Sequence, residues 1–90
     1  MFIYEIECFD SSIGTIDCSF EVGYDIISDE SGTEYDWYAD TKLAITVYDD
    51  NGEVVREEEI DPTDPLAQEI FTHHKQHIVE NCRDDYSSSW

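Results

Sequence analysis

Apolar and polar residues alternate almost without a break over the first 27 positions, and a period of two is the signature of half-buried β-strands. In residues 2–9, Phe2, Tyr4, Ile6 and Cys8 share one parity, while Glu5 and Glu7 take the other. In residues 15–27, Ile16, Cys18, Phe20, Val22, Tyr24 and Ile26 alternate with Asp17, Ser19, Glu21, Gly23 and Asp25. The second run is longer than most strands. A connection over residues 10–14 sets Phe9 against Thr15, and counting back pairs Ile6 with Cys18, Tyr4 with Phe20 and Phe2 with Val22. Apolar then meets apolar across the pair. The same register opposes Glu7 to Asp17 on the solvent side, a like-charge pairing that weakens a sheet. A face built only for solubility mixes its signs there.

Residues 28–36 are polar and read as a loop carrying Asp29, Glu30, Glu34 and Asp36. Alternation resumes in a third strand over 37–48, with Trp37, Ala39, Leu43, Ile45 and Val47 on one parity and Asp36, Tyr38, Asp40, Lys42, Thr46 and Tyr48 on the other. Asn51-Gly52 then marks a tight hairpin, because the glycine accepts positive φ. A three-residue loop ending at Gly52 pairs Tyr48 with Val54 and Val47 with Val55, whereas a two-residue loop would set Val47 against Arg56. The three-residue form keeps apolar partners together. A fourth strand over about 53–58 leads into an acidic linker holding Glu57, Glu58 and Glu59 and two prolines.

Asp64 reads as an N-cap and Pro65 as the first helical position. The helix is expected over 65–82, with Leu66, Ala67, Ile70, Phe71, His74 and Ile78 in an arc of about 140° and Gln68, Thr72, Lys75 and Gln76 outside it. The predicted architecture is α+β: a four-stranded antiparallel meander with one C-terminal helix packed on one face. Residues 1–83 form a single domain and 84–90 a flexible tail, whose Tyr86 and Trp90 are available to a partner.

Composition enters through charge. Twenty-three Asp and Glu stand against four Lys and Arg, a formal net charge of −19. Four scattered cations (Lys42, Arg56, Lys75, Arg83) cannot form the basic stripe that phosphate binding needs, so direct nucleic-acid binding is excluded, as is adhesion to anionic lipid. Disorder is countered by 40% apolar and 13% aromatic residues. A halophilic surface is a further explanation for such acidity, but ten isoleucines, four phenylalanines and three cysteines are rich in apolar bulk for that adaptation. Treated as a sphere, a compact chain of this length is about 31 Å across, and 19 charges correspond to about 32 Å of duplex DNA. The expected charge per unit length therefore matches that of a nucleic acid.

No run approaches the roughly 20 apolar residues of a membrane span, and the start of the chain lacks the basic residues of a secretory signal. Cys8, Cys18 and Cys82 are odd in number and unpaired in spacing, which suits the reducing cytoplasm. His73 and His77 are spaced i, i+4 with Glu69 and Glu80 nearby, yet without a His-Glu-x-x-His arrangement they read as surface histidines, and no metal or other cofactor is expected. The acidic loops do not fit the twelve-residue pattern of an EF-hand. No nucleophile motif, phosphate loop or marked carboxylate pair suggests catalysis. The chain reads as a non-enzyme.

The expected site is the solvent face of the sheet, with Glu5, Glu7, Asp17, Glu21, Asp25, Asp36 and Asp40 projecting from it and Tyr38 and Tyr48 as aromatic anchors. Asp29, Glu30 and Glu34 extend it in the loop, and Glu57, Glu58 and Glu59 before the helix. A solvated face is the plain alternative. The partner expected from the charge is a basic nucleic-acid-binding protein or complex, met by a monomer or homodimer whose carboxylates mimic DNA or RNA. By size and charge alone, this is the class of small phage inhibitors of CRISPR, restriction or DNA-repair enzymes. An immunity protein or antitoxin against a basic nuclease, or an acidic regulatory module, would share its electrostatics.

Overall fold

A computed structural model describes residues 1–88, the side chain of Ser88 excepted. Five strands, β1 (Phe2–Ser11), β2 (Gly14–Asp29), β3 (Gly32–Ala39), β4 (Leu43–Tyr48) and β5 (Val54–Ile60), form one antiparallel sheet, and the helix α1 (Pro65–Ser88) covers one face. The order across the sheet is β1-β2-β4-β5, with β3 beside the outer half of β2. The expected third strand is thus two strands in line on one edge of β2, and the path remains a meander.

The break between them lies at residues 40–42, where the pairing with β2 slips from Val22 opposite Ala39 to Ser19 opposite Ala44. Two extra residues are absorbed there. Because that number is even, Ala39 and Leu43 stay on the same face, and the alternation carries straight across the interruption. The hydrogen bonds of Glu21 fill the gap: its carbonyl accepts from Asp40 N–H (2.8 Å) and its N–H donates to the Thr41 hydroxyl (3.1 Å). Asp40, expected on the strand face, sits in this break instead.

Two further irregularities each insert one residue, and an odd number does invert the face. In β1 the pairing runs Phe2–Val22, Tyr4–Phe20 and Ile6–Cys18 as the alternation requires, then shifts to Phe9–Ile16. Glu7 and Cys8 together oppose Asp17, with Cys8 in the left-handed region at φ 54°. Cys8 is therefore turned out to solvent, correcting its expected place on the apolar face, and Phe9 turns inward against the rings of His73 and His74. The expected Phe9–Thr15 pair and the direct Glu7–Asp17 opposition do not form. In β5, Val55 is the extra residue: Tyr48 meets Val54 as expected, but Val47 meets Arg56. The hairpin loop itself is the three-residue form, with Asp49 N–H donating to the Glu53 carbonyl (2.9 Å) and Gly52 at φ 80°.

The expected polar loop over 28–36 is strand. β2 and β3 pair out to Asp29 and Gly32 around a two-residue turn, in which Asp29 Oδ1 accepts from Ser31 N–H (2.9 Å) and Oγ–H (2.6 Å). Polarity there reflects an exposed ribbon tip, from which Tyr35 reaches back to an aromatic ring of α1, that of Tyr86 (6.5 Å between centroids). Likewise Glu57, Glu58 and Glu59 belong to β5, and the linker shrinks to the residues after Ile60.

Asp64 caps the helix by accepting from Leu66 N–H (2.9 Å). Ala67, Ile70, Ile78 and Cys82 are fully buried against Ile6, Ile16, Phe20, Val22, Leu43 and Ile45 of the sheet. Burying each large aliphatic side chain contributes about 1.5–3 kcal/mol, which makes this layer the main source of stability. The helix passes the expected end near residue 82 and continues through Ser88, so residues 84–88 are not a loose tail. Asp85 holds this last turn by accepting from the Tyr24 hydroxyl (2.8 Å) and pairing with the N-terminal amine (3.4 Å). Trp90, expected as a docking aromatic, lies outside the described residues.

The molecule measures 49 × 24 × 19 Å, because the β2–β3 ribbon extends the sheet along one axis. Nineteen net charges over 49 Å is one per about 2.6 Å, which falls between duplex DNA (about 1.7 Å) and one of its strands (about 3.4 Å). The spherical expectation overstated the density.

Candidate functional site

The face of the sheet away from α1 is the open one, and the register assigns its side chains row by row. One row reads Glu5, Ser19, Ala44, Glu59 across β1, β2, β4 and β5; the next reads Glu7 in the bulge, Asp17, Thr46, Glu57. Carboxylates thus stand on the outer strands, and between them lie small residues and, on β2, Asp17. Three strand spacings separate the two acidic edges by roughly 14 Å, comparable with the roughly 12 Å width of a major groove. The floor is a shallow trough in two parts sharing Ala44 and Thr46: a depression of 210 Å³ toward Glu5, Glu7 and Asp17, and one of 460 Å³ toward Glu57 and Glu59.

Beyond the trough the same face continues along the ribbon. Asp17, Glu21, Asp25 and Asp29 recur every four residues on β2, about 13 Å apart. Opposite them on β3, Asp36 pairs directly with Asp25 and Glu34 with Ile27. The Asp25–Asp36 pair is a like-charge opposition that the Glu7 bulge avoids further down. Sequence alternation alone could show the four-residue period; it could not show that Glu34 and Asp36 stand beside it, because that needs the two-residue turn.

Asp17 is the carboxylate whose role differs most from expectation. Its Oδ1 accepts from Cys8 N–H (3.0 Å) and its Oδ2 from the Tyr48 hydroxyl (2.7 Å). Those two donors, the Cys8 amide first, hold its pKa below the usual range, and the bond to the Asp17 carboxylate raises that of Tyr48. Asp17 thereby closes the bulge, and Tyr48 is a strut across the sheet instead of a free anchor. Tyr38 lies over Gly23, where an added Cβ would come within 2.6–2.7 Å of its ring, and it remains 45% exposed. It is the aromatic this face offers.

The remaining expected residues divide. Glu58 projects toward the helix side at the β5 edge, where it meets Arg56 at 3.5 Å. Asp29 is engaged as the turn cap, and the Ser31 hydroxyl and amide lower its pKa. Glu30 is exposed in the turn beside it, and Asp40 is exposed in the break. Ser19, Ala44 and Thr46, which make the trough, were not singled out by sequence; their signal is small size at outward positions, visible only once β2 and β4 are aligned.

The cations are kept off this trough. Lys42 stands at the rim beside Glu21 and Thr41. Arg56 is on the other side of β5, and Lys75 and Arg83 are on the helix. No helix among the described residues is long and apolar enough to cross a membrane, and no group of three His, Cys, Asp or Glu among them is placed to hold a metal ion. Glu69, once grouped with the histidines, accepts from Ser12 N–H (2.9 Å) and Oγ–H (2.8 Å) and pins the first hairpin to the helix. His74 is half-buried 3.2 Å from the Tyr4 hydroxyl, while His73 and His77 are exposed.

No protein-family model, curated protein or solved structure matches this chain.

Proposed function

We propose that the protein is an acidic inhibitor that occupies the nucleic-acid-binding groove of a basic protein, a host-defence nuclease or another nucleic-acid-processing enzyme, and excludes DNA or RNA from it. The observation that carries this reading is the trough: carboxylates on both edges, small residues on its floor, and Glu34, Asp25 and Asp36 continuing the array along the ribbon. Carboxylates on a sheet are preorganised, so little side-chain ordering remains to oppose binding. A basic groove shaped for phosphates attracts such an array at long range and accepts it at contact. Successive same-face positions on a strand are about 6.7 Å apart, close to two phosphate steps along one DNA strand. The action is placed in the cytoplasm, which suits three free thiols.

The test is displacement of DNA or RNA from candidate effector complexes across a salt titration. Inhibition should weaken as salt rises. The variant Glu5→Gln/Glu7→Gln/Glu57→Gln/Glu59→Gln neutralises both edges of the trough and spares Asp17, whose hydrogen bonds the bulge requires. It should keep the fold and lose at least about tenfold in inhibitory affinity, or 1.4 kcal/mol. Full inhibition by that variant, or inhibition indifferent to salt, would refute the reading.

A further inference from the structure

An open sheet ends in strands whose outward N–H and C=O groups lack partners, and proteins usually disrupt such edges. Here β1 is disrupted by the bulge at Glu7 and Cys8, and β5 by the extra residue Val55. β3 is different. It pairs with β2 alone and without a slip from Gly32 to Ala39. The bond from Asp40 N–H to the Glu21 carbonyl sets the phase of that ladder. Tyr38, Asp36 and Glu34 therefore bond inward, and the backbone groups of Thr33, Tyr35 and Trp37 point to the free side. This is a regular strand edge with nothing paired to it among the described residues.

Charge decides what can dock there. A net charge of −19 opposes self-association over most of the surface. The flank of β3 is the exception, because Lys75 and Arg83, two of the four cations, line a depression of 580 Å³ between α1 and β3 together with Glu34 and Glu80. The two cations leave this flank without the local excess of carboxylates that draws a basic partner to the open face. A two-fold interface needs a patch complementary to itself, and on the helix side Lys75 and Arg83 beside Glu80 supply one. The half-buried rings of Tyr35 and Trp37 add apolar area on the same flank.

We propose that the chain forms a homodimer by antiparallel pairing of β3 with β3 of a second copy, with Lys75 and Arg83 of each facing Glu80 of the other. The two-fold axis of such a pairing is perpendicular to the sheet, so both carboxylate faces lie on one side and both helices on the other. The dimer thereby doubles the acidic surface without covering it.

Sedimentation equilibrium of the purified chain at about 0.15 M salt, where the Debye length is about 8 Å, tests this without any partner. The expected mass is twice the 10.5 kDa of the chain. The helix-surface variant Lys75→Glu/Arg83→Glu leaves the ladder intact and should weaken dimerisation at least about tenfold with an unchanged circular dichroism spectrum. Tyr35→Pro, which removes an outward N–H, should do the same. A monomer at millimolar concentration, or an undiminished dimer in the charge-reversed variant, overturns the proposal. Either result leaves the groove-inhibition reading standing, since one copy presents the whole trough.

Discussion

The two faces of this sheet are built from the same strands and by the same alternation, yet they answer to different physics. On the helix side, Ile16, Val22, Leu43 and Ile45 are essentially sealed from solvent by Ile70, Ile78 and Cys82. Their value depends on shape and contact, and a change there is felt as stability. On the open side, carboxylates stand in rows with few partners. Their mutual repulsion weakens the fold slightly, and under the proposed function it is the property a basic groove would use. Stability and recognition are thus assigned to opposite sides of one layer of strands.

The sharpest break of this division comes from the buried side. Ile45→Ala should cost about 2–5 kcal/mol, a large part of the roughly 5–15 kcal/mol of a typical domain, and urea denaturation would measure it. If the open face contributed equally to stability, the neutralised trough variant would show a similar loss; it should show none.

Acidification probes the same side. Burial first, then His77 and His73, lower the pKa of His74 beside Tyr4. Its folded value lies below the unfolded value of about 6.5, so the unfolded chain binds the extra proton first. The stability linked to neutral His74 is complete above pH ~6.5 and falls progressively as the pH drops through the lowered value. Urea midpoints measured between pH 7 and 5 should show this step, and His74→Gln should flatten it.

On the open face effects should be smaller. Asp17→Ala removes the acceptor for Cys8 N–H and the Tyr48 hydroxyl and should cost about 1 kcal/mol or less, solvent screening most of the charge. Loss of the bulge would show in the amide exchange of Cys8. Smallest of all, Asp36→Lys places an opposite charge across from Asp25 and should raise stability by about 0.2–1 kcal/mol, read from the thermal midpoint. The same substitution should weaken binding to a basic partner. A change that improves the fold while impairing recognition is what the division between faces requires.

The parts legible in sequence were those where irregularities leave parity unchanged. The pairing of Phe2, Tyr4 and Ile6 with Val22, Phe20 and Cys18 could be counted from the alternation. So could the common face of Ala39 and Leu43, because the break between them inserts two residues. Cys8 and Val55 could not be placed, because each lies at a one-residue bulge and nothing in a local pattern distinguishes an extra residue from a paired one. The ribbon over Ser28 to Asp36 was illegible for another reason. Its polarity resembles a loop, and its strand character comes from a partner strand rather than from a buried side.

The sequence by itself determined the sign and amount of charge, the two-layer α+β plan and most residues of the core, since each follows from composition or from periods of two and 3.6 that short segments express alone. Tertiary structure decided which carboxylates stand together. Rows such as Glu5, Ser19, Ala44 and Glu59 join residues far apart in the chain, and their alignment depends on register, bulges and turns that are set only when all the strands pair at once.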